Sequence, residues 1–62
     1  MLTAAREASG MSVRDLAATC GASAYAVWAW EAGRSAPETR WLRPLAQALG
    51  VDLDAMLAIL YP

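Results

Sequence analysis

Four glycines, Gly10, Gly21, Gly33 and Gly50, each follow an apolar-patterned segment, and together they cut the chain into a string of short helices. Glycine accepts the left-handed backbone that ends a helix. The first helix runs from about Leu2 to Ser9 and is closed by Gly10. Ser12 has the character of an N-cap, with Asp15 three residues on completing an S-x-x-D box ahead of Leu16, Ala17 and Cys20. That box predicts a second helix over Val13–Cys20. After the turn at Gly21, Ser23 caps a third helix whose inward stripe is Val27 and Trp30, at i and i+3, until Gly33 stops it. The polar run RSAPETR, from Arg34 to Arg40, reads as a loop.

Leu42, Leu45, Ala46 and Leu49 have helical spacing and end at Gly50. Asp52 then caps a last helix with Leu53, Met56, Leu57 and Leu60 on it. Pro44 leaves two registers for the fourth helix. A proline in a helix interior costs about 3 kcal/mol, whereas in the first turn its missing N–H had no partner to lose. Either the helix starts late, near Trp41 to Arg43, or it begins with Pro37 at its first position and kinks at Pro44. No segment alternates with the period of a strand, so the expected class is all-α, a compact bundle of five short helices.

Size limits what such a bundle can do. A chain of 62 residues is one domain, 1–62, and buries only about 60% of the surface its unfolded form exposes. Small scaffolds gain stability from disulfides, metals or a second subunit. The single Cys20 excludes an internal disulfide, and the absence of histidine removes the commonest metal ligand. Self-association is therefore the expected support, with no metal and no cofactor. No apolar run approaches the roughly 20 residues of a membrane span, and no basic, apolar leader follows Met1. A soluble cytoplasmic protein without membrane contact is expected. Dispersed carboxylates, no histidine and no glycine-rich phosphate loop argue against an enzyme. Cys20 lies at an inward helical position with no base to activate it, which suits a buried thiol. The net charge of −1 gives no bulk attraction to a polyanion. All five cations are arginine, the side chain that pairs bidentately with phosphate or carboxylate.

The ordered set Leu16-Ala17, Gly21, Val27, Trp30-Glu31-x-Gly33-Arg34 and Leu45-Ala46-x-x-Leu49-Gly50-Val51 resembles the Cro/repressor type of helix-turn-helix domain, the lambda-repressor-like family of phage repressors and small bacterial regulators. The resemblance covers nearly the whole chain and places the helix-turn-helix motif at about 13–32. It assigns Ala17 to a close crossing of the second and third helices, and Gly21 to a site where a side chain would clash. It also implies a docking scheme, with the third helix in the DNA major groove and the second across the backbone. The positions that then face the bases are Ala24, Tyr25, Trp28 and Ala29. Related repressors often carry glutamine, serine, asparagine, arginine or lysine at several of these sites; here the Tyr25 hydroxyl is the donor, and alanines could touch thymine methyls. Direct readout is expected to be thin.

The same scheme assigns phosphate contacts to Ser12, Val13, Arg14, Ser23, Arg34, Arg40 and Arg43, with helix-start N–H groups adding dipolar attraction. Arg14, Arg34, Arg40 and Arg43 are expected to surround the recognition helix, with Asp52 and Asp54 towards the far end. Family members commonly pair an arginine of the first helix with the glutamate after the aromatic of the third, and Arg6 and Glu31 hold those positions. A partly buried structural pair is the expectation. Trp30 reads as core, while Trp41 either packs on the third helix or edges a binding surface. The last helix, about 53–61, carries more apolar surface than one face can bury, and Met56, Ile59, Leu60 and Tyr61 are its expected dimer interface.

Two functions follow. One is a small regulator that occupies a double-stranded DNA operator, expected as a homodimer with recognition helices about 34–36 Å apart and with no segment for a small-molecule effector. The other is a protein-interaction module on the same fold, using Tyr25 and Trp28 as an aromatic hot spot.

Overall fold

The computed structural model describes residues 2–61. Among them the regular elements are five α-helices and one 3-10 turn: α1 (Leu2–Ala8), α2 (Val13–Cys20), α3 (Ala24–Glu31), the turn Thr39–Trp41, α4 (Leu42–Leu49) and α5 (Leu53–Leu60). The class is all-α. No helix among these residues is long and apolar enough to cross a membrane.

The glycines end four of the helices by one device. In each case the N–H of the residue after the glycine reaches back to a carbonyl five residues earlier: Met11 to Arg6 (3.2 Å), Ala22 to Ala17 (2.9 Å), Arg34 to Ala29 (3.0 Å) and Val51 to Ala46 (3.0 Å). This closure needs a left-handed residue at the glycine position. At Gly21, φ is +82° and nothing lies within 4 Å of where a Cβ would stand, so the expected clash is absent and the requirement is conformational.

The helix starts are equally local. Ser12 Oγ accepts from the Asp15 N–H while Asp15 Oδ2 accepts from the Ser12 N–H, both at 3.0 Å, closing the capping box at the start of α2. Ser23 Oγ accepts from the Ala26 N–H, and Asp52 Oδ1 from the Ala55 N–H. Before α4, the 3-10 turn takes up the residues between the loop and Leu42. Pro44 therefore stands third in the helix, within the first turn, where it displaces no intrahelical bond. The late start is the register adopted, and Pro37 is buried in the preceding loop.

Leu16, Val27, Leu45 and Met56, one each from α2, α3, α4 and α5, are the largest fully buried side chains. Leu2, Ala17, Cys20, Ala46 and Leu49 complete the core around them. α2 packs on both α3 and α4, and α1 touches α3 and α5. Trp30 packs against this core half-buried. Its ring centroid lies 5.6 Å from that of Trp41, so Trp41 takes the packing role on α3.

Met56 overturns one expectation. It is fully buried and cannot form a dimer interface, and Ile59 and Leu60 also pack against the core. Apolar except for Asp54, α5 turns Met56 inward and leaves Leu53 and Leu57 exposed, with Tyr61 at its C-cap exposed beyond them, at i, i+4 and i+8.

Candidate nucleic-acid interface

The outer face of α3 is set by the caps at its two ends. Ser23 fixes the entry, and the Gly33 closure fixes the exit by tying Arg34 back to Ala29. Ala24 and Tyr25 are exposed, Tyr25 at 70% of its surface, and Trp28 keeps 45%. The Tyr25 and Trp28 rings lie 5.7 Å apart at a 37° tilt, a favourable offset for two aromatic quadrupoles. With Val13 and Arg14 of α2 and Ala24 they line one shallow, open depression, mostly apolar, between the starts of α2 and α3.

Ala29 is not on this face. It is buried, and its carbonyl accepts the Arg34 N–H in the helix-ending turn. Contrary to the expectation from the docking scheme, Ala29 cannot face the bases. The same backward turn carries the Arg34 guanidinium over the Trp28 ring, 5.2 Å from the centroid. Trp28 also presents an indole N–H, a second donor on this face beside the Tyr25 hydroxyl.

The arginines divide into groups. Arg14 and Arg34 border the Tyr25–Trp28 face and have no carboxylate within salt-bridge distance among the described residues. Arg40 lies over Trp41 at 5.2 Å and reaches Glu38 at 3.4 Å, both side chains more than 70% exposed. Arg43 borders a different depression, shared with Gln47, Asp52 and Leu53 at the α4–α5 junction.

At the start of α2 the capping box alters the expected phosphate site. The Ser12 N–H is already donated to Asp15, and the two hydrogen bonds with Ser12, backbone first and side chain second, hold the Asp15 carboxyl below the usual carboxylate range. That carboxylate occupies the helix end an anion would seek. Val13 is half-buried against the core, so its polar contribution is confined to the backbone. Ser23 is exposed; its oxygen is taken by Ala26, which leaves the hydroxyl hydrogen to donate.

Behind the face, Arg6 and Glu31 lock α1 to the end of α3. Arg6 Nε donates to Glu31 Oε2 at 2.7 Å and Nη2 to Oε1 at 3.2 Å. Thr3 Oγ1 donates to Glu31 Oε1 at 2.9 Å, and Arg6 Nη1 to the Met11 carbonyl at 2.8 Å. The bond to Glu31 raises the guanidinium pKa further above its ordinary value. A glutamate in a helix's last turn opposes the dipole, and Arg6 offsets it.

Two features do not follow from the expected scheme: Asp15 standing at the helix start that phosphate contact would use, and the exposure of Leu53 and Leu57 beside the expected Tyr61. The S-x-x-D box is a signal for the first; apart from Asp54, the apolar sequence of α5 does not distinguish the second. No curated protein and no solved structure shows significant similarity to the chain. The family described as "Helix-turn-helix domain" matches residues 1–59, and the chain belongs to it.

Proposed function

We propose that this protein is a small DNA-binding regulator that lays α3 in the major groove of an operator and binds as a homodimer. Membership of the helix-turn-helix family supports DNA as the partner. The observation that carries the reading is the arrangement around Trp28: Arg34 lies over the ring, Arg14 borders the same depression, and neither has a carboxylate partner among the described residues. Two uncompensated guanidinium groups beside an exposed helix can neutralise phosphates on either side of a groove. A protein of net charge −1 thus concentrates positive charge where it is needed.

The longest dimension of the domain is 25 Å, less than one turn of DNA, which measures about 34 Å. Two recognition helices on a palindromic site need a second copy. The Leu53, Leu57 and Tyr61 stripe is the exposed apolar surface that pairing two copies about a two-fold axis would bury.

The test is a titration of labelled duplex DNA with the wild-type chain and with Arg14→Ala/Arg34→Ala, at several salt concentrations. Binding should weaken linearly in log–log form, and the double variant should lower the slope by about two. Equal slopes in the two proteins contradict the reading. One observation favours a second reading, a protein-interaction module: the exposed Tyr25–Trp28 pair has the composition of an interface hot spot. Absence of binding at low salt selects that alternative.

A further inference from the structure

The proposed docking of α3 leaves open which chemical feature of the groove the helix reads, and the following rests on that docking. We infer that the Tyr25–Trp28 face is a reader of pyrimidine C5-methyl groups, the methyl of thymine or of 5-methylcytosine. Four base pairs are told apart in the major groove by donor and acceptor patterns and by the C5 methyl. Bidentate reading needs a carboxamide or guanidinium fork projecting from the recognition helix. The exposed outward positions of α3 hold an alanine Cβ, a tyrosine and a tryptophan, with two single donors between them. The one major-groove feature complementary to such a surface is the apolar one.

The geometry around the face suits that role. The depression lined by Val13, Ala24, Tyr25 and Trp28 is apolar and open, with Arg14 on its rim. Arg34 lies over Trp28, so the ring meets the groove with a cation beside it. Apolar centre and unpaired cationic flanks together fit a polyanion that carries methyl groups along its groove, which is B-form DNA. Because Ala29 is buried, the reading surface is confined to Ala24, Tyr25 and Trp28, a patch of a few base steps.

The experiment compares duplexes of equal length and charge that differ only in methyls: one A·T-rich pool made with deoxythymidine or deoxyuridine, and one G·C-containing duplex with cytosine or 5-methylcytosine. Burying one methyl corresponds to about a fourfold change in Kd. Thymidine duplex should therefore bind at least about fourfold tighter than its deoxyuridine counterpart, with Tyr25→Ala and Trp28→Ala each reducing that ratio towards one. A matching gain on 5-methylcytosine assigns the reading to the methyl on either base; a gain on thymidine alone assigns it to thymine. Equal, salt-dependent binding of all four duplexes overturns the methyl reading and leaves DNA binding standing. A thymidine preference unchanged in both variants overturns the assignment to these rings. No binding to any duplex at low salt overturns the docking itself, and the methyl reading with it.

Discussion

Arg6 and Glu31, 25 residues apart in the chain, meet as a two-point ion pair with Nε to Oε2 at 2.7 Å, their side chains only 12% and 10% exposed. The pair ties α1 to the last turn of α3, one residue before the cap that leads into Gly33 and Arg34. It touches no part of the candidate interface, yet it fixes the angle at which α3 presents Tyr25 and Trp28.

Removing one member leaves a nearly buried charge without its partner, which is far more damaging than losing a surface pair. Glu31→Ala should lower Tm by more than about 10 °C, a large shift for a domain of this size. Glu38→Ala, which removes the exposed partner of Arg40, should change it by no more than a few degrees. Thermal melts followed by circular dichroism decide this. Similar small shifts in both variants would show that the α1–α3 tie contributes little.

The Asp15 box makes stability depend on acid in a definite direction. An unfolded aspartate titrates near 3.9, and in the fold Asp15 is held lower by its bonds with Ser12. Its contribution is thus whole above about pH 4 and fades as the pH falls through the lower folded value. Asp15→Asn keeps an acceptor and removes the charge. The Tm difference between wild type and Asp15→Asn should be a few degrees at neutral pH and should shrink as the pH falls below about 4. A difference that stays constant down to pH 2 would exclude the carboxylate as its source.

For the C-terminal stripe, Leu57→Glu places a charge at the centre of the proposed two-fold contact, at a position outside the buried core. Sedimentation equilibrium should show wild type in a concentration-dependent monomer–dimer balance and the variant as a monomer that keeps its helical circular-dichroism spectrum, with a Tm that no longer depends on protein concentration. If both sediment alike, the stripe is not where copies meet.

How far the residues alone disclosed this arrangement depends on what each position could tolerate. The cap residues were decisive because their chemistry is local: Ser12, Asp15, Ser23 and Asp52 accept the bonds their side chains suit, and Val13–Cys20 falls at the expected bounds. Pro44 posed two registers, and a 3-10 turn over Thr39–Trp41 settled the later one. Ala29 was illegible because alanine suits either side of a helix, so its burial could not be read from its own character. Met56 was illegible because α5 is apolar at every position but Asp54, so periodicity does not choose which residue enters the core. The Arg6–Glu31 pair was foreseeable from family resemblance; no residue-level pattern links positions that far apart.

The most direct test of DNA contact through α3 is an NMR titration of the backbone amide and indole N–H signals with duplex DNA at low salt. The largest shifts should fall on Ser23, Ala24, Tyr25, Arg14 and Arg34 and on the Trp28 indole N–H, with Leu45 and Met56 in the core little changed. Shifts centred on α5, or a spectrum that DNA does not alter, would contradict that contact.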